Sequence, residues 1–459
     1  MRRVGILGAG YMGLATGVAF AHRGFTVFAY DVNPRVRAAL EAGRSPYHEK
    51  GLGALLREES RRGRFVVLDR VQDLAERAQV VFVCLPTPSK PGGKIDLAPL
   101  CTGVAELGRA LRPGKGYRVV VVKSTVVPGT TQGVVEPLLR RSSHRSAREL
   151  GVAFNPEFLS EGRMVHDTLH PQRIVLGASD PQAIRWLVAL YRGFDAPIFE
   201  LSPSAAELVK YASNAFLALK VSFANEIGRL TERLDGNVDE VMNAVGADPR
   251  IGREFLRAGP GFGGSCFRKD LRAMVARADE LGVRFRSGEN ALAINADQMV
   301  HAIDLVRRTA GTLRNRTVTV LGLAFKAGTD DVRESRALPL VQALLKGGAR
   351  VRLHDPEALS NFRSELGRLS GGSSRVSFCP SVEGALRGAD LAVLQTDWPQ
   401  YRRWPDRWTQ QMRTPTLVDL RREISRAVRT RAGLRVVALG VSPDRPPNNS
   451  PGPAPGRTE

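Results

Sequence analysis

The sequence predicts an α/β protein in which two Rossmann-like, doubly wound domains are joined by a central helical domain with a long connecting helix. Strand-like apolar segments alternate with helical segments towards both ends of the chain, which is typical of a parallel sheet covered by helices. The middle of the chain carries an uninterrupted helical pattern instead. Three segments of the first half also recur in the same order in the second half, which indicates an internal repeat.

The N-terminal domain is expected over residues 1–203. Its first segment reads as a strand, a glycine turn, a helix from about Tyr11 to Arg23 and a second strand that ends at Asp31. Further strands are expected in "AQVVFVCLPTP", "YRVVVVKSTVVPG", "GVAFNPEF" and "RIVLGAS". Because strands and helices alternate, this domain is expected to form a mostly parallel, doubly wound sheet.

The central domain is expected over residues 204–310. The segment "SAAELVKYASNAFLALKVSFANEIGRLTERL" repeats apolar residues at intervals of three and four and has no glycine before Gly228, so it predicts one long helix. The helical pattern that follows is interrupted by a glycine-rich loop, "GPGFGGSCFRKD", at 259–270. This loop places Cys266 among glycines and follows it with an arginine, a lysine and an aspartate.

The C-terminal domain is expected over residues 311–440, where "RTVTVLGLAFKAGTDD", "ARVRLHDPEA" and "GADLAVLQTDW" parallel segments of the first domain. Glycines of the first turn are replaced here, so this half is expected to bind something other than a dinucleotide. Asp355, the counterpart of Asp31, is interpreted as a relic. Residues 441–459 are rich in Pro, Gly, Ser and Asn and are expected to be disordered. We expect an active site in the cleft between the two Rossmann-like domains.

The charge and the apolar content narrow the classes of function. Lys and Arg total 67 against 46 Asp and Glu, a formal net charge of +21, but the basic residues are spread along the whole chain. This favours attraction of an anionic small-molecule substrate over nucleic-acid binding, which the charge alone leaves open. No segment approaches the ~18 to 20 apolar residues of a membrane span, and no signal-type sequence begins the chain. A cytoplasmic protein without a membrane partner is expected.

Four cysteines, Cys84, Cys101, Cys266 and Cys379, lie far apart in the sequence. They form no CxxC pair, and no Cys/His cluster has the spacing of a zinc site. This argues against a disulfide framework and against a bound metal. A cysteine with a function would therefore act alone, as a reduced thiol.

A dinucleotide site is predicted where "GAGYMG" places Gly8, Gly10 and Gly13 in G-x-G-x-x-G register after a strand and at the start of a helix. The glycines permit a tight turn, close approach of a pyrophosphate and close helix packing, and the helix N-terminus favours negative charge. Asp31, at the end of the second strand, would accept hydrogen bonds from the ribose hydroxyls and repel a 2′-phosphate, which favours NAD over NADP. Arg35 nearby weighs against that preference. The alternative is a glycine turn that binds no ligand.

The thiol of Cys266 indicates chemistry beyond one hydride transfer. A thiolate adds to an aldehyde, the thiohemiacetal loses a second hydride, and the resulting thioester is hydrolysed. Lys269 would favour the thiolate, and the flanking glycines allow a substrate to approach the backbone. The alternative for Cys266 is a small core residue.

Lys210 and Asn214 lie four residues apart on the predicted long helix, hence on one face. Together they would stabilise the oxyanion that develops in both oxidations, whereas the alternative for Lys210 is a surface lysine that extends its ammonium to water. Asp270 would hold a water as base. Glu157 and Glu161 are candidates for proton transfer during hydrolysis, and Thr125 for orienting the water; these candidates come from the motifs "NPEFLSEG" and "KSTVVPGT".

Taken together, these segments resemble the UDP-glucose/GDP-mannose dehydrogenase family over residues 2–440. In family order the chain carries "GAGYMG", "PTP" at 86–88 with Asp96 in "KIDL", "KSTVVPGTT", "NPEFLSEG", "LHPQRIVLG", "ELVKYASNAFLALKVSFANEI", "DPRIG", "GFGGSCFRKD" and "GLAFKAGTDDVRES". The resemblance implies NAD-dependent, four-electron oxidation of the C6 alcohol of UDP-glucose to UDP-glucuronate. It also implies a homodimer, with Arg250 and the long helix at its interface.

Site residues are carried over from the resemblance position by position. The implied catalytic residues are the nucleophile Cys266, the oxyanion stabilisers Lys210 and Asn214, Asp270 with a water in the first oxidation, and Glu157 with Thr125 in hydrolysis. The implied cofactor-binding residues are Gly8, Gly10, Tyr11, Met12, Gly13, Asp31, Arg35, Thr87, Thr125, Glu161, Lys269 and Arg333. The implied substrate-binding residues are Glu157, Phe158, Leu159, Lys210, Asn214, Arg250, Phe255, Leu256, Gly259, Gly263 and Lys326.

The chain departs from the family pattern at three places. Arg268 stands where bacterial members commonly have proline. Val36 stands where a basic residue usually follows the strand-end acid, so Arg35 or Arg37 would replace it. The "DGR" pattern near the nucleotide base reads "DLR" here and ends at Arg421.

The substrate remains open between two groups of family members, and a second reaction class is also considered. "LHPQRIVLG" and "SNAFLALK" resemble the UDP-glucose branch, while GDP-mannose and UDP-N-acetylhexosamine dehydrogenases share the catalytic residues. A two-electron β-hydroxyacid dehydrogenase would use a Rossmann-like N-terminus and a Lys/Asn helix. Such an enzyme would have no need of Cys266 or of a second Rossmann-like half.

Overall fold

The computed structural model describes residues 3–112, 116–370 and 373–442. Contacts divide the chain into two compact units, one within Met1–Ser213 and Arg272–Arg284, the other within Asn214–Leu271 and Phe285–Glu459. Of the predicted disordered tail, residues 443–459 lie outside the described residues. Val441 and Ser442 are described, and both bond to the backbone at 236–237.

Among the described residues, the first unit contains an eight-stranded sheet in the order β3-β2-β1-β4-β5-β6-β7-β8. Neighbouring strands are parallel except β6 and β7, which pair antiparallel. The strands are β1 (Arg3–Leu7), β2 (Thr26–Tyr30), β3 (Phe65–Val67), β4 (Val80–Val83), β5 (Arg118–Val122), β6 (Leu150–Phe154), β7 (Ile174–Ala178) and β8 (Ile198–Leu201). The chain reverses its direction of progress across the sheet between β1 and β4, which is where ligands bind in such folds.

The helices of the first unit connect successive strands. They are α1 (Tyr11–His22), α2 (Pro34–Glu41), α3 (Leu52–Arg61), α4 (Val71–Arg77), α5 (Ala98–Leu111), α6 (Glu136–Ser143), α7 (Met164–Leu169) and α8 (Pro181–Tyr191), with a 3₁₀ turn at Pro91–Gly93 and a π turn at Thr131–Val135. The central strands read as continuous valine-rich runs because both sheet faces are buried under helices.

The longest helix, α9 (Pro203–Thr231), belongs to the first unit as far as Ser213 and to the second from Asn214. It is followed by α10 (Val238–Gly246), α11 (Phe267–Glu280) and α12 (Arg286–Ala310). Unit membership changes within α11 as well, after Leu271. The long helix predicted from Ser204 is therefore present, with its start one residue earlier and its end at Thr231.

Within the part of the chain that the structure describes, the second unit contains a six-stranded parallel sheet in the order β11-β10-β9-β12-β13-β14. The strands are β9 (Thr317–Leu321), β10 (Arg350–His354), β11 (Val376–Phe378), β12 (Leu391–Leu394), β13 (Thr416–Asp419) and β14 (Arg435–Ala438). The helices that accompany this sheet are α13 (Ala337–Lys346), α14 (Leu359–Ser370), α15 (Val382–Leu386), α16 (Pro399–Arg403), α17 (Asp406–Gln411) and α18 (Arg426–Arg431). Its first four strands repeat the order of the first sheet. The two sheets with a helical region between them in sequence confirm the predicted fold class.

Asp355 follows β10 as Asp31 follows β2, but its carboxylate is used within the protein. It is 1% exposed. Its two oxygens accept hydrogen bonds from the backbone N–H groups of residues 323, 324, 357 and 358 at 2.6–3.0 Å and from the indole of Trp398 at 3.0 Å. Asp355 is therefore more than a relic of a ribose site, because it holds together the turn after β9 and the turn after β10.

No helix among the described residues is long and apolar enough to cross a membrane. Searching the same residues for three or more His, Cys, Asp or Glu side chains that could hold a metal ion finds no such group.

Replacing Asp355 by alanine is expected to destabilise the second unit by about 3 kcal/mol, because several buried N–H groups lose their acceptor at once. The midpoint of urea unfolding, followed by tryptophan fluorescence, measures this effect. Asp304→Ala, which removes a half-exposed carboxylate on α12 in the same unit, is the matched control and is expected to change stability by no more than about 0.5 kcal/mol. Equal midpoints for the two variants would contradict the structural role of Asp355.

Candidate active site

Only glycine fits at two positions of the segment that joins β1 to α1 and forms the first turn of that helix. Gly8 has φ +93°, in the left-handed region, and a Cβ there would lie 2.7 Å from the carbonyl oxygen of Cys84. A Cβ on Gly13 would lie 2.0 Å from the carbonyl oxygen of Gly8. Gly10 is different, because a Cβ there would meet no atom within 4 Å. The outer side of the turn is thus open while its inner side is tightly packed.

Helix α1 begins directly at this turn. Its N-cap is Gly10, no side chain caps it, and its first turn contains no acidic residue. The N–H groups of the first turn of a helix have no partner within the helix, and the dipole adds positive potential there. The open face at Gly10 and these donors fit the pyrophosphate of a dinucleotide. Tyr11 and Met12 stand in this first turn, and the ring of Tyr11 packs 4.4 Å from that of Tyr47.

Asp31 lies at the end of β2, beside the glycine turn. Its carboxylate accepts the N–H of Ala9 at 2.8 Å and the N–H of Asn33 at 2.9 Å, which fixes both oxygens in place. Each oxygen keeps a second lone pair for a ribose hydroxyl. Arg35 and Arg37, the candidates to replace the basic residue that is absent at position 36, have different surroundings. Arg35 is exposed, whereas Arg37 donates to the carbonyl oxygen of Asp31 at 2.8 Å.

Two threonines of the predicted cofactor site meet at the ends of β4 and β5. The hydroxyl of Thr87 donates to the carbonyl oxygen of Thr125 at 2.8 Å, which ties the "PTP" segment to the "KST" segment. Glu161 is partly buried in the loop after β6, in the same unit. The first unit therefore supplies all the predicted cofactor residues except Lys269 and Arg333, which belong to the second.

Lys210 is buried on α9 and pairs with Glu157. Its Nζ lies 2.7 Å from Oε1 of Glu157, and the two side chains are only 5% and 13% exposed. The second carboxylate oxygen of Glu157 accepts the N–H of Leu159 at 2.7 Å. This geometry excludes the interpretation of Lys210 as a surface lysine, because its ammonium points inward to a carboxylate.

The position of Lys210 is fixed one turn earlier on α9 by Glu207. The carboxylate of Glu207 accepts the N–H of Gly129 at 2.6 Å and both the N–H and the hydroxyl of Thr131 at 2.7 and 2.6 Å. Burial raises the pKa of Glu207 despite these bonds. The loop after β5 is thereby attached to the helix that carries Lys210.

The net effect of the surroundings is to lower the pKa of Glu157. Burial alone would raise it, but the ammonium of Lys210, the hydrogen bonds from Lys210 and Leu159, and the more distant ammonium of Lys123 together outweigh burial. Glu157 is consequently held as a carboxylate, the form that can accept a proton.

Asn214 and Asp270 form a second buried group, in the second unit. The amide of Asn214 donates to Oδ2 of Asp270 at 2.7 Å, and the ammonium of Lys269 lies 2.7 Å from Oδ1. Asp270 is 2% exposed and Asn214 is 7% exposed. Lys269 thus pairs with the carboxylate rather than standing alone beside the thiol.

Cys266 is exposed at the N-terminus of α11. Its carbonyl oxygen accepts the N–H of Asp270 at 2.8 Å, and its sulfur lies 3.6 Å from the hydroxyl of Ser265. Exposure excludes the interpretation of Cys266 as a small core residue. The positive end of a helix stabilises negative charge, so this position suits a thiolate.

The glycine loop before Cys266 is held from several sides within the second unit. The backbone of Phe262 is bonded at both its N–H and its carbonyl oxygen by Asn295, at 2.7 and 3.1 Å, and the same oxygen accepts two bonds from the guanidinium of Arg336. A Cβ on Gly263 would lie 2.5 Å from the carbonyl oxygen of Glu334, and one on Gly264 would meet the ring of Phe325 at 2.7 Å. The loop needs glycine for close backbone contact.

Arg268 and Arg333 lie beside this loop. The guanidinium of Arg268 is 2.6 Å from the carboxylate of Glu334, whose φ of +53° is unusual for a residue with a side chain. Arg333 is exposed, pairs with Asp331 at 2.6 Å, and accepts the N–H of Gly264 on its carbonyl oxygen at 3.1 Å. The arginine in place of the family's proline therefore adds an ion pair between the cysteine helix and the loop after β9.

The remaining predicted substrate residues are dispersed. Phe158 packs under the guanidinium of Arg173 at 3.9 Å, in the first unit. In the second unit Leu256 is buried, Phe255 is 41% exposed with φ +64°, and the side chain of Arg250 is 87% exposed and pairs with Asp248.

Three further predicted residues also lie in the second unit. Gly259 is fixed by Asn225 and Gln298 at 2.8 Å each. The ammonium of Lys326 lies 5.6 Å from the centre of the Phe325 ring. Arg421 lies close to Gly259, because a Cβ added to that glycine would be 3.3 Å from the Arg421 guanidinium.

Sequence reasoning missed the polar residues behind the candidate site. Lys123 and Asn155 are buried and bonded to each other, yet they stand inside the motifs "KSTVVPGT" and "NPEFLSEG". Arg173 stands in "LHPQRIVLG". Asn295 and Gln298, by contrast, lie in an ordinary amphipathic helix, and the polar residues that appear at its buried positions are the only signal of their role.

Family models match three consecutive parts of the chain. They are described as the NAD binding domain, the central domain and the UDP binding domain of the UDP-glucose/GDP-mannose dehydrogenase family, and match residues 2–195, 204–297 and 319–426.

Similar proteins agree with these matches. A UDP-glucose 6-dehydrogenase of Haloferax volcanii is 38% identical over 432 residues, which covers 92% of this chain and 97% of that protein. A UDP-glucose dehydrogenase structure from Pyrobaculum islandicum superposes with a TM-score of 0.89 at 38% identity, covering 96% of this chain and 98% of that one. A UDP-D-ManNAc dehydrogenase structure from Pyrococcus horikoshii has a TM-score of 0.83 at 28% identity, with coverages of 95% and 99%.

Alanine substitutions at Gly10 and Gly13 are expected to separate binding from folding. Gly13→Ala forces a methyl group against the backbone, so both the melting temperature and dinucleotide affinity should fall. Gly10→Ala adds a methyl group in open space at an ordinary φ of −66°, so the melting temperature should stay unchanged while NAD binding weakens at least about tenfold. Calorimetric titration with NAD and thermal melts provide the two measurements. Unchanged NAD affinity in Gly10→Ala would mean that the pyrophosphate does not lie on this turn.

Proposed function

The chain belongs to the UDP-glucose/GDP-mannose dehydrogenase family, and from this premise we propose that it oxidises the C6 alcohol of UDP-glucose to the carboxylate of UDP-glucuronate with two NAD. The observation that carries the proposal is the exposed Cys266 at the end of a braced glycine loop, four residues before a buried Asp270 that bonds to Asn214. A simple alcohol dehydrogenase has no use for that thiol.

NAD is proposed to bind the glycine turn, with its pyrophosphate at the N-terminus of α1 and a ribose on Asp31. Thr87, Thr125, Glu161, Lys269 and Arg333 are proposed to complete its site. When bound, NAD⁺ accepts one hydride in each of the two oxidations. Asp31 would repel a 2′-phosphate, which supports NAD rather than NADP.

In the first oxidation, Asp270 takes the proton of the C6 hydroxyl through a water molecule, while C6 loses a hydride and becomes an aldehyde. The negative charge that develops on the oxygen is stabilised by the ammonium of Lys210 and the amide of Asn214, which are held in place before reaction by Glu157 and Asp270. Because both donors are buried, their charge and dipole are weakly screened there.

In the second oxidation, the thiolate of Cys266 forms a bond to the aldehyde carbon, and the carbonyl electron pair moves to the oxygen. Loss of the second hydride from that carbon gives a thioester. Water then adds to the thioester, the carbon–sulfur bond breaks, and the thiol and the carboxylate are released. Glu157, which is held as a carboxylate, is proposed to take the proton of this water, with Thr125 orienting it.

The residues carried over for the nucleotide sugar are proposed to bind it. They are Glu157, Phe158, Leu159, Lys210, Asn214, Arg250, Lys326, Arg421 and the loop 255–263. Phe158 is prepared for this role by the guanidinium of Arg173, which fixes one face of its ring.

UDP-N-acetylmannosamine is the second candidate substrate, favoured by the similarity of the chain to the Pyrococcus horikoshii dehydrogenase. The same residues would carry out the same oxidations on that sugar. We favour UDP-glucose because the relatives of that name reach 38% identity, against 28% for the other.

We further propose that the chain acts as a homodimer. Phe216, Phe223 and Leu230 recur every seven residues on α9 and are 63%, 45% and 54% exposed, so they form an apolar stripe on one face of the helix. Covering this stripe with the same stripe of a second copy would remove three large side chains from water. Chemistry that uses a free thiol also supports a reducing compartment such as the cytoplasm.

The yield of NADH per molecule of limiting UDP-glucose, at excess NAD, tests the proposed reaction. Two NADH per sugar are expected for the purified wild type, and UDP-glucuronate should be the only sugar product. Cys266→Ala is expected to bind NAD as the wild type does and to form no UDP-glucuronate, since the aldehyde can no longer be captured.

Other yields would have definite meanings. One NADH per sugar would contradict the four-electron mechanism. Two NADH from UDP-N-acetylmannosamine or GDP-mannose, with none from UDP-glucose, would transfer the mechanism to that substrate. Full acid production by Cys266→Ala would rule out the thioester.

Substitution of the apolar stripe on α9 tests the dimer. Phe223→Glu, alone or with Phe216→Glu, places a charge at the proposed interface and is expected to convert the dimer to a monomer in light scattering after gel filtration. Asp304→Lys, a charge change at a half-exposed residue of α12 in the same unit, is the control and should leave the mass unchanged. A monomeric wild type, or a dimer that persists in the double variant, would contradict the proposal.

A further inference from the structure

Lys123 directly follows β5, and its side chain is buried in the interior of the first unit. The proposed mechanism assigns it no role. It is 6% exposed. Its Nζ donates to Oδ1 of Asn155 at 2.8 Å, and the hydroxyl of Tyr191 donates to the same oxygen at 2.6 Å. The amide nitrogen of Asn155 donates to the carbonyl oxygen of Val175 at 2.8 Å, which fixes the direction in which Asn155 points.

A buried ammonium is costly unless its charge is compensated, and here the hydrogen-bond partner is a neutral amide. The compensating anion is nearby in sequence, because Asn155 is followed by Pro156 and Glu157. Attraction between Lys123 and Glu157 acts on both groups, lowering the pKa of the carboxyl and opposing the loss of the proton from the ammonium. The carboxylate of Glu157, which pairs with Lys210, is therefore stabilised by two cations.

Titratable groups around Lys123 come from four elements, because Tyr191 of α8 shares its hydrogen-bond acceptor and three other groups act on its charge. Cys84 follows β4, Glu157 follows β6, and Lys210 lies on α9. Burial lowers the pKa of Lys123 to about 8, attraction to Cys84 and Glu157 works against this, and repulsion from Lys210 adds to it. Cys84 carries no charge near neutral pH, since burial raises its pKa to about 12. Glu157 and Lys210 are thus the charged neighbours that matter.

We propose that Lys123 is a positioning residue for the hydrolysis step, the second cation of a Lys123–Glu157–Lys210 cluster that keeps Glu157 ionised as the base. This inference rests on the proposed function, in which Glu157 takes a proton from the attacking water. Lys123 touches neither substrate nor cofactor in this role; it acts through Glu157. Asn155 fixes the ammonium, and Tyr191 fixes Asn155.

The direction of the pH effect follows from the charges. Glu157 has a lowered pKa, so it is a base above that pKa and is lost as a base when the pH falls through it. A neutral residue at position 123 removes one cation and raises the pKa of Glu157. The acid limb of the hydrolysis rate should therefore move to higher pH, by about one unit for the loss of one nearby charge at an effective dielectric constant near 20.

Lys123→Met and Lys123→Gln are the test variants, and both remove the charge. Tyr191→Phe is the matched control, because it removes a hydrogen bond from the same buried group without changing its charge. Single turnovers with enzyme in excess over UDP-glucose separate the steps: NADH absorbance follows the oxidations, and release of free UDP-glucuronate from the protein follows hydrolysis. These rates are measured across the pH range for the wild type and the three variants.

The proposal expects the acid limb of UDP-glucuronate release to move up in both Lys123 variants and to stay in place in Tyr191→Phe. Superposable profiles for wild type and Lys123 variants, even with a lower melting temperature, would overturn it, since a structural role alone changes stability and not the limb. If Lys123→Met fails to fold, Lys123→Gln, whose amide can still donate a hydrogen bond, decides.

A readout without substrate keeps this inference distinct from the proposed reaction. Infrared spectra of each protein minus its Glu157→Gln counterpart isolate the Glu157 carboxyl, and its titration gives the pKa directly. A raised pKa in the Lys123 variants supports the electrostatic role whether or not UDP-glucose is oxidised; an unchanged pKa overturns it. Absence of UDP-glucuronate from the wild type would count against the proposed function alone.

Discussion

The buried ion pair between Lys210 and Glu157 is the constraint on which the first unit of this protein depends. Removing two charges from water is unfavourable, and a pair of apolar residues would often be more stable at such a position. The surroundings offset this penalty with fixed partners: Leu159 donates to the second carboxylate oxygen, and Lys123 adds a second positive charge. An arrangement of this kind is understandable when charge is needed for chemistry, since stability alone would not require it.

Helix α9 carries the lysine of this pair together with other buried polar side chains. Glu207 accepts three hydrogen bonds from the loop after β5, Lys210 follows one turn later, and Asn214 follows one turn after that. Spacings of three and four residues bring these side chains to one face. Helix α9 thus combines a polar face, whose members are fixed before any ligand binds, with an exposed apolar stripe seven residues in period. Preorganised donors of this kind need little rearrangement when charge develops on a substrate.

Much of the fold could be read from the sequence because its signals are local. Valine-rich strands, the glycine turn at 8–13 and the repeat at three to four residues in α9 each follow from chain geometry within a few residues. Burial is not local, and it decided two of the alternatives that the sequence left open: Lys210 is inside and paired, and Cys266 is exposed. Lys123 and Asn155 stayed unassigned for the same reason. A lysine after a strand is ordinarily a surface residue, and only the pairing of β5 with β6 brings its ammonium to Asn155, two residues before Glu157.

The two sheets show how one strand order supports different uses of the same position. An acid follows the second strand in both halves, and in both its oxygens accept N–H groups from the turn after the first strand. Asp31 takes one such bond from that turn and stays partly exposed beside an open helix N-terminus. Asp355 takes two from the turn, adds two from its own loop and one from an indole, and is buried. Because its acceptor capacity is consumed by the protein, the second half cannot present this carboxylate to a ribose. A repeat with the same topology is therefore left with other residues for recognising a nucleotide, and we propose the lysine and arginine side chains of the loops after β9 and β13 for this role.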